Sequence, residues 1–229
     1  MVRPIRKKQI HNLQGQIKET AWKQIAEFGA PALSLRAIAR ELKITAPAIY
    51  NYFADRDALV TALIVDAYKS FGDSQLEARD AVPANNVLGR LKAIGIAYRI
   101  WARTYPQRYQ LIFGTPIPGY EAPLLEVLPS AARSLSALVS VIEALRATGK
   151  LNVKSFPTVK KEYKVSFETW RKYGGDVDML SMSIAMLIWS RVHGIVSLEI
   201  AGNLPPFGAS GDDLYMYEMA SIAKQFIKE

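Results

Sequence analysis

The sequence predicts an all-α protein. Apolar residues recur at steps of three and four along most of the chain, and the interruptions are short stretches rich in Pro, Gly and Asn. Half of the 229 residues are apolar, enough to fill a sizeable core in one large domain or two smaller ones. Cysteine is absent, which excludes a disulfide scaffold, a cysteine nucleophile and a Cys-ligated metal. No internal repeat or low-complexity tract is present.

Taken in order, Ile10, Leu13, Ile17, Ala21, Ile25 and Phe28 form one helical stripe that Gly29 and Pro31 end. Ser34 is a good N-cap for a helix of about two turns carrying Leu35, Ile38, Ala39 and Leu42. Lys43-Ile44-Thr45 breaks it. A third short helix spans Ala46 to Tyr52, with Pro47 in its first turn, where an N–H would be unpaired anyway. Asp55 caps a fourth, carried by Leu59 and Leu63 toward Phe71.

Periodicity fades between Asp73 and Asn86, which reads as a bend or boundary. Helices resume over Val87–Thr104 and from Pro106 to Gly114, the loop Thr115–Pro123 follows, and Leu124–Thr148 is helical again. Between Lys150 and Tyr173 two readings stay open: Tyr163, Val165 and Phe167 alternate like a strand, whereas Val159, Tyr163, Phe167 and Trp170 step like a helix, which Pro157 favours. Met179–Gly202 and Leu214–Lys228 close the chain as helices. The expected division is a first domain over residues 1–60 and a second, helical one over 61–229.

The net charge of +8 is unevenly placed. Residues 1–60 hold ten basic and five acidic residues, and Lys150–Lys172 holds seven and two, so the remainder is slightly acidic. The first block suggests nucleic acid. Its three short elements have the layout of a helix-turn-helix: small Ala39 lets the next helix cross closely and Ile49 plugs the angle. An ordinary αα-corner has the same spacing. The surface chemistry separates the two, because Thr45, Tyr50, Asn51 and Arg56 fall off the core stripe and are donors for phosphate or base edges.

Leu35-Arg36-Ala37-Ile38-Ala39-Arg40-Glu41-Leu42, followed by Ile44 to Leu59 with its Tyr50-Asn51-Tyr52-Phe53 and the charged capping turn, resembles the DNA-binding domain of the tetracycline-repressor (TetR) family over about residues 17–63. The resemblance implies that Arg36 reaches a base edge and that Thr45, Tyr50 and Asn51 touch phosphates or bases. It also implies that Ala46, Pro47 and Ala48 face the groove and that Arg56 holds a phosphate where the family usually has lysine. Two departures stand out. Lys43 fills a turn position usually held by glycine, so a lysine must take a left-handed or distorted conformation. The groove-facing positions are small and apolar, favouring thymine methyls and a steep salt dependence over base-edge hydrogen bonds. Arg3, Arg6, Lys7 and Lys8 suit either an arm adding phosphate contacts or a solvated tail.

The second half resembles one C-terminal subclass of that family, with Trp189-Ser190-Arg191-Val192-His193-Gly194 matching its Trp–His–Gly signature. This implies a small-molecule effector and a homodimer. Trp101, Tyr105, Tyr109, Phe113, Trp189 and His193 could line a mostly apolar cavity, or be core aromatics and a satisfied core histidine. The last helix carries two adjacent apolar rows, Tyr215, Met219, Ile222, Phe226 and Met216, Ala220, Ala223, Ile227, more than one monomer core needs, so a two-fold four-helix interface is expected. Lys150–Lys172 is either a solvated face or an attractor of anions.

The expected function is therefore a repressor that binds double-stranded operator DNA as a dimer and is released by an unidentified effector. It needs no metal or cofactor and has no catalytic residues, since neither a Gly-Xaa-Ser-Xaa-Gly elbow nor a His-Glu-Xaa-Xaa-His pair occurs. An all-helical carrier of small molecules is the alternative. It would leave Thr45–Arg56 without purpose. A cytoplasmic protein without membrane association is expected, because Met1–Lys8 lacks a following apolar run and Arg191, His193 and Glu199 interrupt Met179–Ala201.

Overall fold

The computed structural model describes residues 12–160, 167–168, 170–173, 175–205 and 211–228. In chain order the helices are α1 (Leu13–Phe28), α2 (Leu35–Glu41), α3 (Ala46–Tyr50), α4 (Arg56–Asp80), α5 (Val87–Thr104), α6 (Pro106–Phe113), α7 (Leu124–Ala147), α8 (Met179–Ile200) and α9 (Asp212–Phe226). Residues 167–168 and 170–173 are also helical, while Tyr163 and Val165 of the alternating pattern lie outside the described residues. Among the described residues the β pairing is one isolated antiparallel bridge, Leu151 to Ile227. The fold is all-α, as expected. Arg3, Arg6, Lys7, Lys8 and Ile10 lie outside the described residues.

Local chemistry sets most boundaries. Ser34 Oγ accepts the Ala37 N–H at 3.3 Å, Asp55 Oδ1 the Ala58 N–H at 2.7 Å and Asn86 Oδ1 the Gly89 N–H at 2.9 Å. Two expectations need correcting. The third helix ends at Tyr50, and the Tyr52 N–H turns back only three residues, to the Ile49 carbonyl. The fourth does not fade near Asp73 but runs to Asp80. Its later turns are held by close backbone approach to α7: a Cβ on Gly72 would lie 3.0 Å from Ser134 Cα, and Gln75 Nε2 donates to the Phe71 and Ser134 carbonyls, each at 3.1 Å. Small and polar residues at such a crossing leave no apolar stripe to read.

Buried apolar residues form two clusters, and α4 belongs to both. Leu59, Val60, Leu63 and Ile64 pack with α1–α3, whereas Ala67 and Phe71 pack with α5–α9. The expected division after residue 60 thus falls inside one continuous helix. Lys18 Nζ meets Asp66 Oδ2 at 2.7 Å and pins α1 on α4. The Thr61 and Tyr120 hydroxyls, 2.9 Å apart, tie α4 to the loop after α6. By length and composition α7 and α8 could each cross a membrane. Both contribute to the second buried cluster.

Candidate nucleic-acid interface and ligand cavity

The α2–α3 unit is built from its turn outward. Lys43 N–H donates to the Arg40 carbonyl at 3.2 Å and Ile44 N–H to the Ala39 carbonyl at 3.0 Å, with Lys43 at φ 54°. Paired bonds of this kind also close α7 at Gly149 and α8 at Gly202, where glycine takes the positive φ. Lys43 therefore occupies a left-handed position without a glycine's freedom, at a cost of roughly 1 kcal/mol. Beyond the turn, Ile49 is wholly buried and Ala39 nearly so, which seats α3 across α2 and turns its other face out.

Arg36, Thr45, Pro47, Tyr50 and Asn51 are exposed on that face, with Ala46 and Ala48 half-buried between them. Thr45 caps α3 by position, but its hydroxyl makes no cap bond. Arg40, Lys43 and Tyr52, not among the expected site residues, are exposed as well. Arg56 departs from the pattern. Its Nη2 donates to the Ala30 and Pro31 carbonyls at 3.4 and 3.2 Å, so the side chain braces the α1–α2 corner instead of projecting with the others. Its Nη1 lies 3.6 Å from Asp57 Oδ1, and Nε is buried without a partner among the described residues.

In the larger domain, four of the six expected aromatic and histidine residues converge. Trp189 stacks on His193 with ring centres 4.7 Å apart, and Phe113 meets His193 edge-on at 5.0 Å. The Tyr109 hydroxyl lies 2.9 Å from His193 Nδ1 and 2.9 Å from Ser197 Oγ. Tyr98 adds a hydroxyl 2.9 Å from Nδ1, and Ser197 Oγ lies 3.2 Å from Nε2. Burial pushes the Tyr98 and Tyr109 phenols up and the His193 imidazole down. A neutral ring carrying its proton on Nε2 donates to Ser197 Oγ and accepts at Nδ1, whose single lone pair the two phenols share. Tyr98 and Ser197 escape a reading by residue type: Tyr98 sits in an ordinary apolar stripe, and only the four-residue step from His193 marks Ser197.

The other two are placed elsewhere. Trp101 is core, with Nε1 donating to Ser70 Oγ at 3.0 Å, and Tyr105 is exposed beneath Arg108, whose guanidinium carbon lies 4.6 Å from the ring centre. Spacing cannot separate a buried aromatic from one that borders a void. Phe113 and Trp189 do border one, a cavity of about 410 Å³ with Tyr68, Leu135, Met182 and Met186. Trp170 Nε1 is buried in that wall and finds no partner among the described residues. Glu199, six residues from His193, is engaged by buried Arg99 at 2.6 and 2.7 Å, and among the described residues no acid pairs with the histidine.

A helix-turn-helix carried on a larger helical domain is the build of a bacterial transcriptional regulator. Residues 17–63 match the family of bacterial regulatory proteins of the tetR type, and residues 91–222 match the tetracyclin repressor-like C-terminal domain. The chain is similar to the HTH-type transcriptional regulator Rv1816 of Mycobacterium tuberculosis and to its Mycobacterium bovis counterpart Mb1846. Each is 36% identical over 191 residues, 83% of this chain and 81% of theirs. Among solved structures, the regulatory protein SCO4313 has a TM-score of 0.74 at 35% identity, over 92% of this chain and 95% of that one. A Rhodococcus protein of unknown function shares the fold at 20% identity, with a TM-score of 0.74 over 98% and 100% of the two chains. The chain belongs to the TetR family of transcriptional regulators.

Proposed function

We propose that this regulator is a cytoplasmic repressor that binds a pseudo-palindromic operator as a homodimer and is released by a small molecule. The observation that carries the DNA half is the outward face of α3: Thr45, Pro47, Tyr50 and Asn51 exposed together, with Arg36 beside them, on a helix fixed from behind by Ile49. Two such helices related by a two-fold axis enter successive major grooves and read the two halves of a symmetric site. Few of these groups can read base edges, so phosphate attraction dominates and affinity falls steeply with salt. Arg56 acts behind this face, as a brace.

The effector occupies the cavity walled by Phe113 and Trp189 and favours one spacing of the two DNA-binding units, which shifts the population away from the DNA-bound form. The Trp189–His193–Gly194 constellation supports a place in the Trp–His–Gly subclass. A footprint on DNA around the protein's own coding region tests the proposal. A symmetric protected stretch is expected, lost in Tyr50→Ala without loss of folding. Absence of protection at low salt would overturn it.

A further inference from the structure

The aromatic cavity is not the only space a ligand can enter. A cleft of about 590 Å³ separates the end of α1 from the second domain, with Ala30 and Pro31 on one side and Tyr109, Leu111, Ser197 and Ile200 on the other. No Asp, Glu, Lys, Arg or His is among the described residues lining it, so an ion entering would gain no counter-charge. What it offers is apolar surface, neutral side-chain amides and hydroxyls, and at its edge the Tyr109–Ser197 hydroxyl pair at 2.9 Å. Phe113 borders both this cleft and the inner cavity.

We infer that this cleft is a second ligand site, for an uncharged and largely apolar molecule bearing one or two hydrogen-bonding oxygens. Its position makes it regulatory. The occupant touches both domains at once, so any tilt of the α1–α3 unit changes its contacts, and its affinity must differ between tilts. The wall on the α1 side is also coupled to the reading head, because the Ala30 and Pro31 carbonyls accept from Arg56, the first residue of α4, just beyond α3. This regulatory half rests on the repressor reading above. The binding half does not.

The test is fluorescence titration of the full-length protein with Nile red, an uncharged apolar dye bearing a carbonyl. Ala201→Trp or, independently, Thr115→Trp fills the cleft from an exposed position, whereas Met186→Trp fills the inner cavity. Two dye molecules per chain are expected in the wild type, one in each single variant and none in Ala201→Trp with Met186→Trp. Unchanged binding in both cleft variants, complete loss in Met186→Trp, or no wild-type binding would overturn the site. Equally tight cleft binding of anionic anilinonaphthalene sulfonate in Met186→Trp would overturn its neutral character. In Met186→Trp, saturating dye is expected to change operator affinity at least threefold; no change would overturn regulation. A protein that bound dye but no DNA under any condition would refute the repressor reading and, with it, the regulatory half alone.

Discussion

The Tyr98 hydroxyl and Nδ1 of His193 lie 2.9 Å apart, joining α5 to α8 in the middle of the larger domain. Tyr98 and Tyr109 are almost wholly buried, and burial holds the His193 pKa below its ordinary value. An unfolded ring titrates near ~6.5. Between the folded value and that one, the unfolded state binds more protons, so stability rises with pH across the interval. The neutral ring's contribution is complete above about pH 6.5 and is lost as pH falls through the folded pKa. Thermal unfolding should therefore occur at a lower temperature at pH 5.5 than at pH 7.5, and His193→Gln should shrink that difference. Equal pH sensitivity in the variant would show that the imidazole is not its source.

Lys43 supplies a second prediction. At φ 54° it crowds its own Cβ against the backbone, a strain that Gly149 and Gly202 avoid at the ends of α7 and α8. Lys43→Gly should add up to ~1 kcal/mol, a rise in Tm of roughly 2–4 °C for a chain of this size. Lys43→Ala keeps the Cβ and should add nothing. If alanine stabilised as much as glycine, the lysine charge and not the left-handed turn would be the cause.

These residues also show what the sequence could reveal. Ser34, Asp55, Pro106 and Lys43 act on backbone groups within a few positions of themselves, so helix starts and the strained turn were legible. The exposure of Thr45, Tyr50 and Asn51 was legible because they fall off a clear apolar stripe. Gly72 and Gln75 were not, since the backbone they serve is on α7. Nor was the brace made by Arg56, whose carbonyl partners are 25 and 26 residues away. Trp101 and Phe113 carry the same kind of signal in sequence. Only packing separates the core residue from the cavity wall.

The brace makes Arg56 separable from a phosphate ligand. Arg56→Met removes the donor to the Ala30 and Pro31 carbonyls and should cost about 1 kcal/mol in stability. Operator affinity should fall because α3 is less firmly held. The slope of log affinity against log salt should stay unchanged. A phosphate contact would instead lower that slope by about 0.9. Retardation at four salt concentrations, wild type against variant, distinguishes the two.

The helices α8 and α9 leave an apolar face open. On α9, Tyr215, Met219, Ile222 and Phe226 are buried within the chain, whereas Met216 and Ala220 are exposed. On α8, Leu187 and Leu198 remain 48% and 44% exposed, although the helix is apolar nearly all round. Gly194 lies between them, seven and four residues away. A Cβ there would meet nothing within 4 Å among the described residues, so their packing does not require a glycine. Alanine in a helix interior is favoured over glycine by about 0.5–1 kcal/mol, and the exception is intelligible if another helix backbone approaches. In a two-fold dimer that helix is α8 of the second copy. The wild type should sediment at twice the 25.5 kDa chain mass, with a Tm that rises with concentration. Gly194→Leu should give a folded species of single mass whose Tm is independent of concentration. A fully dimeric Gly194→Leu protein would mean that the two α8 helices do not meet at this position.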